Sequence, residues 1–172
     1  DIPALLREAL GAEESAVAVV VAPDGKFYIA NKGEAHAMIM DGERHIALQT
    51  KDEEAGLRQG QFQGKGDEIM VLGGEGFWDV MSPEGSPDFR LGSVKGCLGR
   101  KNSAQGHSLS LAHEAKDIAL WHKAERIFSP QDVNFGKHMM YDVMSQLGMT
   151  EKDFPRDITA LVVVPRTVEL AE

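Results

Sequence analysis

The chain has 172 residues, 42% hydrophobic and 26% charged, which suits one soluble domain with a real core. A net charge of −9 and a pI of about 5.1 argue against a nucleic-acid-binding face, which needs a basic surface. No apolar run approaches the roughly 20 residues of a membrane-spanning helix. No signal-peptide pattern opens the chain. Cys97 is the only cysteine, so no intrachain disulfide can form and a reducing, intracellular compartment is expected.

In chain order, "IPALLREAL" sets Ile2, Leu5, Leu6 and Leu10 near one helical face, with Gly11 to end it. "SAVAVVVA" reads as a strand covered on both faces, and Asp24-Gly25 as a hairpin turn. "KFYIAN" and "AHAMIM" follow as strands on either side of Lys32-Gly33-Glu34, and "DGE" turns into "RHIALQT". The first fifty residues thus predict a helix and an antiparallel meander. Residues 50–67 read as a polar connector, and "EIMVLGG" as a strand. Residues 82–107, with Pro83, Pro87 and several glycines, read as a long loop insertion. "SLAHEAKDIALWHKAERIF" predicts a helix burying Leu111, Ala115, Ile118 and Ala119. Ser129 and Pro130 open a second helix with a face of Phe135, Met139, Met140, Val143, Met144 and Leu147. "ITALVVV" is the last strand. Strands first, helices late and a returning strand make an α+β fold with an antiparallel sheet.

Most catalytic templates fail on spacing. "GCLGRKNS" lacks the phosphate-loop order of Gly, Lys and Ser/Thr. His113 and Glu114 have Asp117 where a zinc helix needs its second histidine, and His122 lies off the face of His113. Arg90, Lys95, Arg100 and Lys101 form a basic cluster that reads as a solvated loop. Cys97 has no nearby base in sequence. Carboxylates at glycine-flanked strand ends carry more. Glu34 follows Gly33, Glu75 stands between Gly74 and Gly76, and Asp157 precedes the final strand. Three acids at strand ends can converge on one rim of a sheet and offer oxygen ligands to a hard divalent ion.

Three blocks carry a family resemblance. "VAVVVAPDGKFYIANKGEAHAMIMDGERHIALQTKDEE" is similar to the metal-dependent protein phosphatases, the type 2C or PPM family, whose segment runs through "LYVANVGDSRAVL". "EIMVLGGEGFWDVMSPEG" resembles that family's "FLILASDGLWDVMSNEE", and "RDITALVVVP" its closing "DNITVIVV". The blocks keep the family order and bracket residues 16–165.

The resemblance implies an antiparallel β-sandwich flanked by helices. It also implies a centre in which two Mn²⁺ or Mg²⁺ ions activate a water against phosphoserine or phosphothreonine. It matches the family's metal-site aspartates to Glu75 and Glu34, while the closing "DN" pair is shortened to Arg156-Asp157, so either its Asp has become Arg or one residue is deleted and Asp157 remains. The family's opening metal-binding stretches do not occur in residues 1–172, so the single domain is expected to be incomplete on its N-terminal side. Glutamate for aspartate displaces the ligand oxygens, and without the opening aspartates Glu34, Glu75 and Asp157 offer at most three protein ligands, so no catalytic residue and no bound cofactor are expected. The expectation is an inactive phosphatase-like domain acting as a scaffold, regulatory or structural subunit with other protein subunits. The rival is an active Mn/Mg-dependent serine/threonine phosphatase completed by another segment or chain. Strands apolar on both faces are expected to need cover from such a partner, or from residues 53–67 and 82–107 folding back.

Overall fold

A computed structural model describes residues 1–50, 57–63, 67–81, 94–98, 103–127, 148 and 158–165, with side chains described only as far as 119 in the last helix. In order, the described elements are α1 (Ile2–Leu10), β1 (Ala16–Val21), β2 (Lys26–Lys32), β3 (His36–Met40), β4 (Ile46–Gln49), β5 (Leu57–Gln61) and β6 (Ile69–Gly73). They are followed by α2 (Glu75–Trp78), α3 (Val94–Cys97), α4 (Ala104–Ile127) and β7 (Ala160–Val163). Two antiparallel sheets result, with strand orders β1-β2-β5 and β4-β3-β6-β7.

The two-residue period of the strands sorts their side chains into three apolar layers. Phe27 and Ile29 of β2 meet Ala37, Ile39, Met70 and Leu72 between the sheets, with Phe62 closing one side. The opposite face of β1 and β2 holds Ala16, Ala18, Val20, Tyr28 and Ala30 against Leu6 and Leu10 of α1. Beyond the second sheet, Met38, Met40, Val71 and Val162 pack on Phe77, Leu98, Leu111, Ala115 and Ile118. The order of layers is helix, sheet, sheet, helix. β1 is therefore covered on both faces from within the chain, by α1 and by the facing sheet. Among the described residues no helix is long and apolar enough to cross a membrane.

Several expectations need correction. The meander is not one: β1-β2 and β3-β4 are hairpins, but the chain changes sheets between β2 and β3. Gly33 makes that change at φ 63°, where an added Cβ would sit 2.6 Å from the Glu14 carbonyl oxygen. Ser15 Oγ then accepts from Ala35 N at 2.8 Å, which fixes the exit of the turn. In the β3-β4 turn the left-handed residue is Arg44 (φ 64°) rather than the glycine of "DGE", because Asp41 Oδ1 accepts from the backbone N–H of both Glu43 and His45. The polar stretch 50–67 contributes β5, the third strand of the first sheet. Within 82–107 the described residues hold α3 and the first turn of α4. Leu5 of α1 is exposed. The helix expected after Ser129 lies outside the described residues.

Arg44 ties three segments together by donating to the carbonyls of Asp41, Asp67 and Leu98. Beside it, His107 of α4 is buried, and its Nδ1 finds no hydrogen-bond partner. Burial first, and the Arg44 charge second, hold the His107 imidazolium below its ordinary pKa of 6.5.

Two predictions follow from these contacts. Gly33→Ala is expected to cost about 1–2 kcal/mol from the left-handed backbone alone, with the clash adding to it, as read by urea unfolding. For His107, the unfolded chain binds the proton more readily than the fold. Its contribution is thus fully present above the ordinary 6.5 and is lost as pH falls below that value. Melting temperatures between pH 7.5 and 5.5 should fall less steeply in His107→Leu than in the parent.

Candidate functional site

The second sheet gathers the ends of three strands on one rim. Pairing of His36 with Gly73, and of Gly73 with Ala160, places the start of β3, the end of β6 and the start of β7 side by side. Gly74 N donates to Thr159 O at 3.1 Å, which carries the β6-β7 ladder one residue past the strands. Glu34 and Glu75 both leave the sheet at this rim, and both are exposed. Asp157 lies outside the described residues.

Glu75 begins α2, whose N-cap is Gly74 in extended conformation. The helix turns back tightly, since the N–H groups of Phe77 and Trp78 both donate to Gly74 O. That return explains Gly73: a Cβ there would lie 2.3 Å from the Phe77 ring and 2.6 Å from Trp78 Nε1. Phe77 is fully buried under the second sheet, while Trp78 is only half-buried. Phe77 is therefore the ring packed beneath the sheet edge. Trp78 instead spans the rim. Its indole N–H donates to Gly73 O at 3.0 Å and His36 O at 3.1 Å, and its ring stacks on His36 with centroids 4.2 Å apart and planes 16° from parallel.

His36 is 2% exposed. Its Nδ1 lies 3.0 Å from Glu34 O, a group that can only accept, so Nδ1 carries the proton. Nε2 is then free to accept from Gln49 Nε2 at 3.3 Å. Further into the sandwich, Asn31 Nδ2 donates to Thr50 O, and Thr50 exchanges backbone and side-chain bonds with Ala37. Asn31 Oδ1 is buried and without a partner. His36, Gln49, Asn31 and Thr50 escaped the sequence reading.

Among the described residues the rim thus has two exposed carboxylates, a His36–Trp78 aromatic stack and a buried amide. Among the described residues, no three His, Cys, Asp or Glu side chains gather closely enough to hold a metal ion. A tight Mg²⁺ or Ca²⁺ site gathers about six oxygen ligands, and two outward-facing carboxylates do not supply that cage. The described donors do not fit a two-metal centre. Elsewhere, His113 is exposed and Lys95 is exposed on α3, while Arg90, Arg100 and Lys101 lie outside the described residues. Cys97 is unbridged and half-buried, and it packs beside the helix layer of the core.

No family model matches the chain, and no curated protein sequence does. Solved structures do match. A photosystem II phosphatase, PBCP, superposes with a TM-score of 0.57 at 13% identity, covering 98% of this chain and 72% of its own. The phosphatase domain of the cell-fate determinant SpoIIE from Bacillus subtilis superposes with a TM-score of 0.50 at 12% identity. That match covers 95% of this chain and 66% of its own. At such identities the likeness concerns the fold. The chain has the α+β, two-sheet architecture of the PPM-type phosphatases, as its sequence blocks implied.

The two rings of α2 separate by mutation. Phe77→Ala is expected to cost about 3–5 kcal/mol as a core truncation. Trp78→Phe keeps an aromatic surface but removes the indole donor, and about 1 kcal/mol should be lost. Equal losses in denaturant titrations would contradict this placement of the rings.

Proposed function

We propose that the chain is a catalytically inactive phosphatase-like domain that serves as a scaffold, regulatory or structural subunit. One observation carries the reading. At the rim to which the resemblance assigns metal-binding aspartates, the described acids are two exposed glutamates, Glu34 and Glu75, flanking a closed His36–Trp78 stack. A two-metal phosphatase site holds its ions about 3.5–4 Å apart. Catalytic geometry tolerates errors of only about 0.5 Å. The extra methylene of glutamate exceeds that tolerance by itself. The phosphatase architecture is used here for its surface, with the His36–Trp78 stack lying across the rim. An active Mn/Mg-dependent serine/threonine phosphatase is the rival outcome of the test.

Titration calorimetry and a phosphopeptide assay decide between them. The chain should bind neither Mn²⁺ nor Mg²⁺ more tightly than about millimolar, since it offers fewer oxygen ligands than a tight site gathers. Phosphopeptide hydrolysis with Mn²⁺ present should stay at the buffer rate. Two micromolar sites with turnover that a chelator abolishes would establish the enzyme instead.

A further inference from the structure

Among the described residues, four strands terminate the two sheets: β1 and β5 in one, β4 and β7 in the other. An edge strand presents unpaired N–H and C=O groups, and soluble proteins blunt it with short length, bulges, inward charges or a covering element. Three of these edges carry such a device. On β5, Arg58 pairs with Ile29 and so stands on the inward face of its sheet, a charge where a strand added from outside would need an apolar residue. β4 is four residues long, and its register with β3 slips between Ile39 and Met40. On β7, Val162 N donates to Ser108 Oγ of α4 at 2.9 Å.

Among the described residues, β1 carries none of them. Its sequence is AVAVVV, without charge, glycine or proline, and it runs in unbroken register with β2 from Ala16↔Lys32 to Val21↔Phe27. The Ala22 N–H donates to Lys26 O at 2.7 Å, which makes residues 22 and 26 a hydrogen-bonded pair. Alternation along an antiparallel ladder then turns the backbone groups of 16, 18 and 20 toward β2. Those of Val17, Val19 and Val21 face outward. Glu13 and Glu14, both exposed, stand just before this edge.

We propose that the outer edge of β1 is a docking strand for an extended segment of a partner protein, apolar in its core and basic at the end that meets Glu13 and Glu14. A second copy of this chain is the poorer occupant. Antiparallel self-pairing through the outward groups, Val17 with Val21 about Val19, would bring Glu14 of each copy opposite Asp24 of the other, between two chains of net charge −9. The inference stands on the edge alone. A rim that turned out to bind metal would leave it intact, and an inactive rim does not support it.

The probe is a short peptide of alternating valine and threonine with two lysines at each end, added to the intact chain. Two controls accompany it, one with glutamates at the ends and one N-methylated at alternate residues. The lysine peptide should bind at least about tenfold more tightly than either control, and more weakly as salt rises. On binding, the Val17, Val19 and Val21 amides should become protected from hydrogen exchange. Reversing Glu13 and Glu14 to lysine should invert the preference between the lysine and glutamate peptides. Three results would overturn the proposal: equal binding of the three peptides, no protection of these amides at millimolar peptide, or a free chain already dimeric with these amides protected.

Discussion

The change of sheet at Gly33 is the constraint on which the rest of the structure depends. A hairpin at this point would have laid β3 beside β2 and left one face of each strand without a partner. Instead the left-handed glycine, squeezed against the Glu14 carbonyl, sends β3 into the opposite sheet. Phe27 and Ile29 then look across at Ala37 and Ile39, and a core forms between two sheets. Only glycine adopts this backbone without strain, and only glycine fits the space. The turn also fixes where the polar groups fall. Ser15 anchors its exit, and Asn31 and Thr50 close the end of the core just beneath it.

The rim inherits its character from that arrangement. His36 is the first residue of β3 after the crossing, so its ring lies directly beside the end of β6. Gly73 leaves room for Trp78 to fold back over both strand ends and bind their carbonyls. Among the described contacts, the indole N–H meets two carbonyls, and the imidazole meets a carbonyl and an amide. The chain's own backbone and side chains make all of these contacts. The phosphatase-like architecture and its rim chemistry are therefore separable, and this separation underlies the scaffold reading.

Long or strongly patterned segments were legible from sequence. The helix of residues 2–10, the valine-rich first strand, the "EIMVLGG" strand and the buried positions of α4 show their period plainly. β5 did not. "LRQGQ" lacks alternation because its one inward side chain is an arginine at an edge and its next inward position is a glycine over the Phe27 ring. The meander reading failed because a glycine turn looks alike in sequence whether it returns within a sheet or crosses to another. Phe77 and Trp78 were indistinguishable in a four-residue helix, where burial is decided by distant contacts and no period exists. At the site, the glycine-flanked acids Glu34 and Glu75 were marked by sequence, and the register of β3 on β6 sets their strand ends side by side. Their exposure and the stack between His36 and Trp78, 42 residues apart, required the register of β3 on β6.

The most direct test of the proposed inactive rim is crystallographic. Crystals of the chain grown with 10-fold excess Mn²⁺ over protein, measured at the manganese absorption edge, would show any ion bound between the strand ends. The account predicts no anomalous peak near Glu34 and Glu75 and an intact His36–Trp78 stack. Two peaks about 3.5–4 Å apart at that rim, with the glutamates turned inward to meet them, would contradict it.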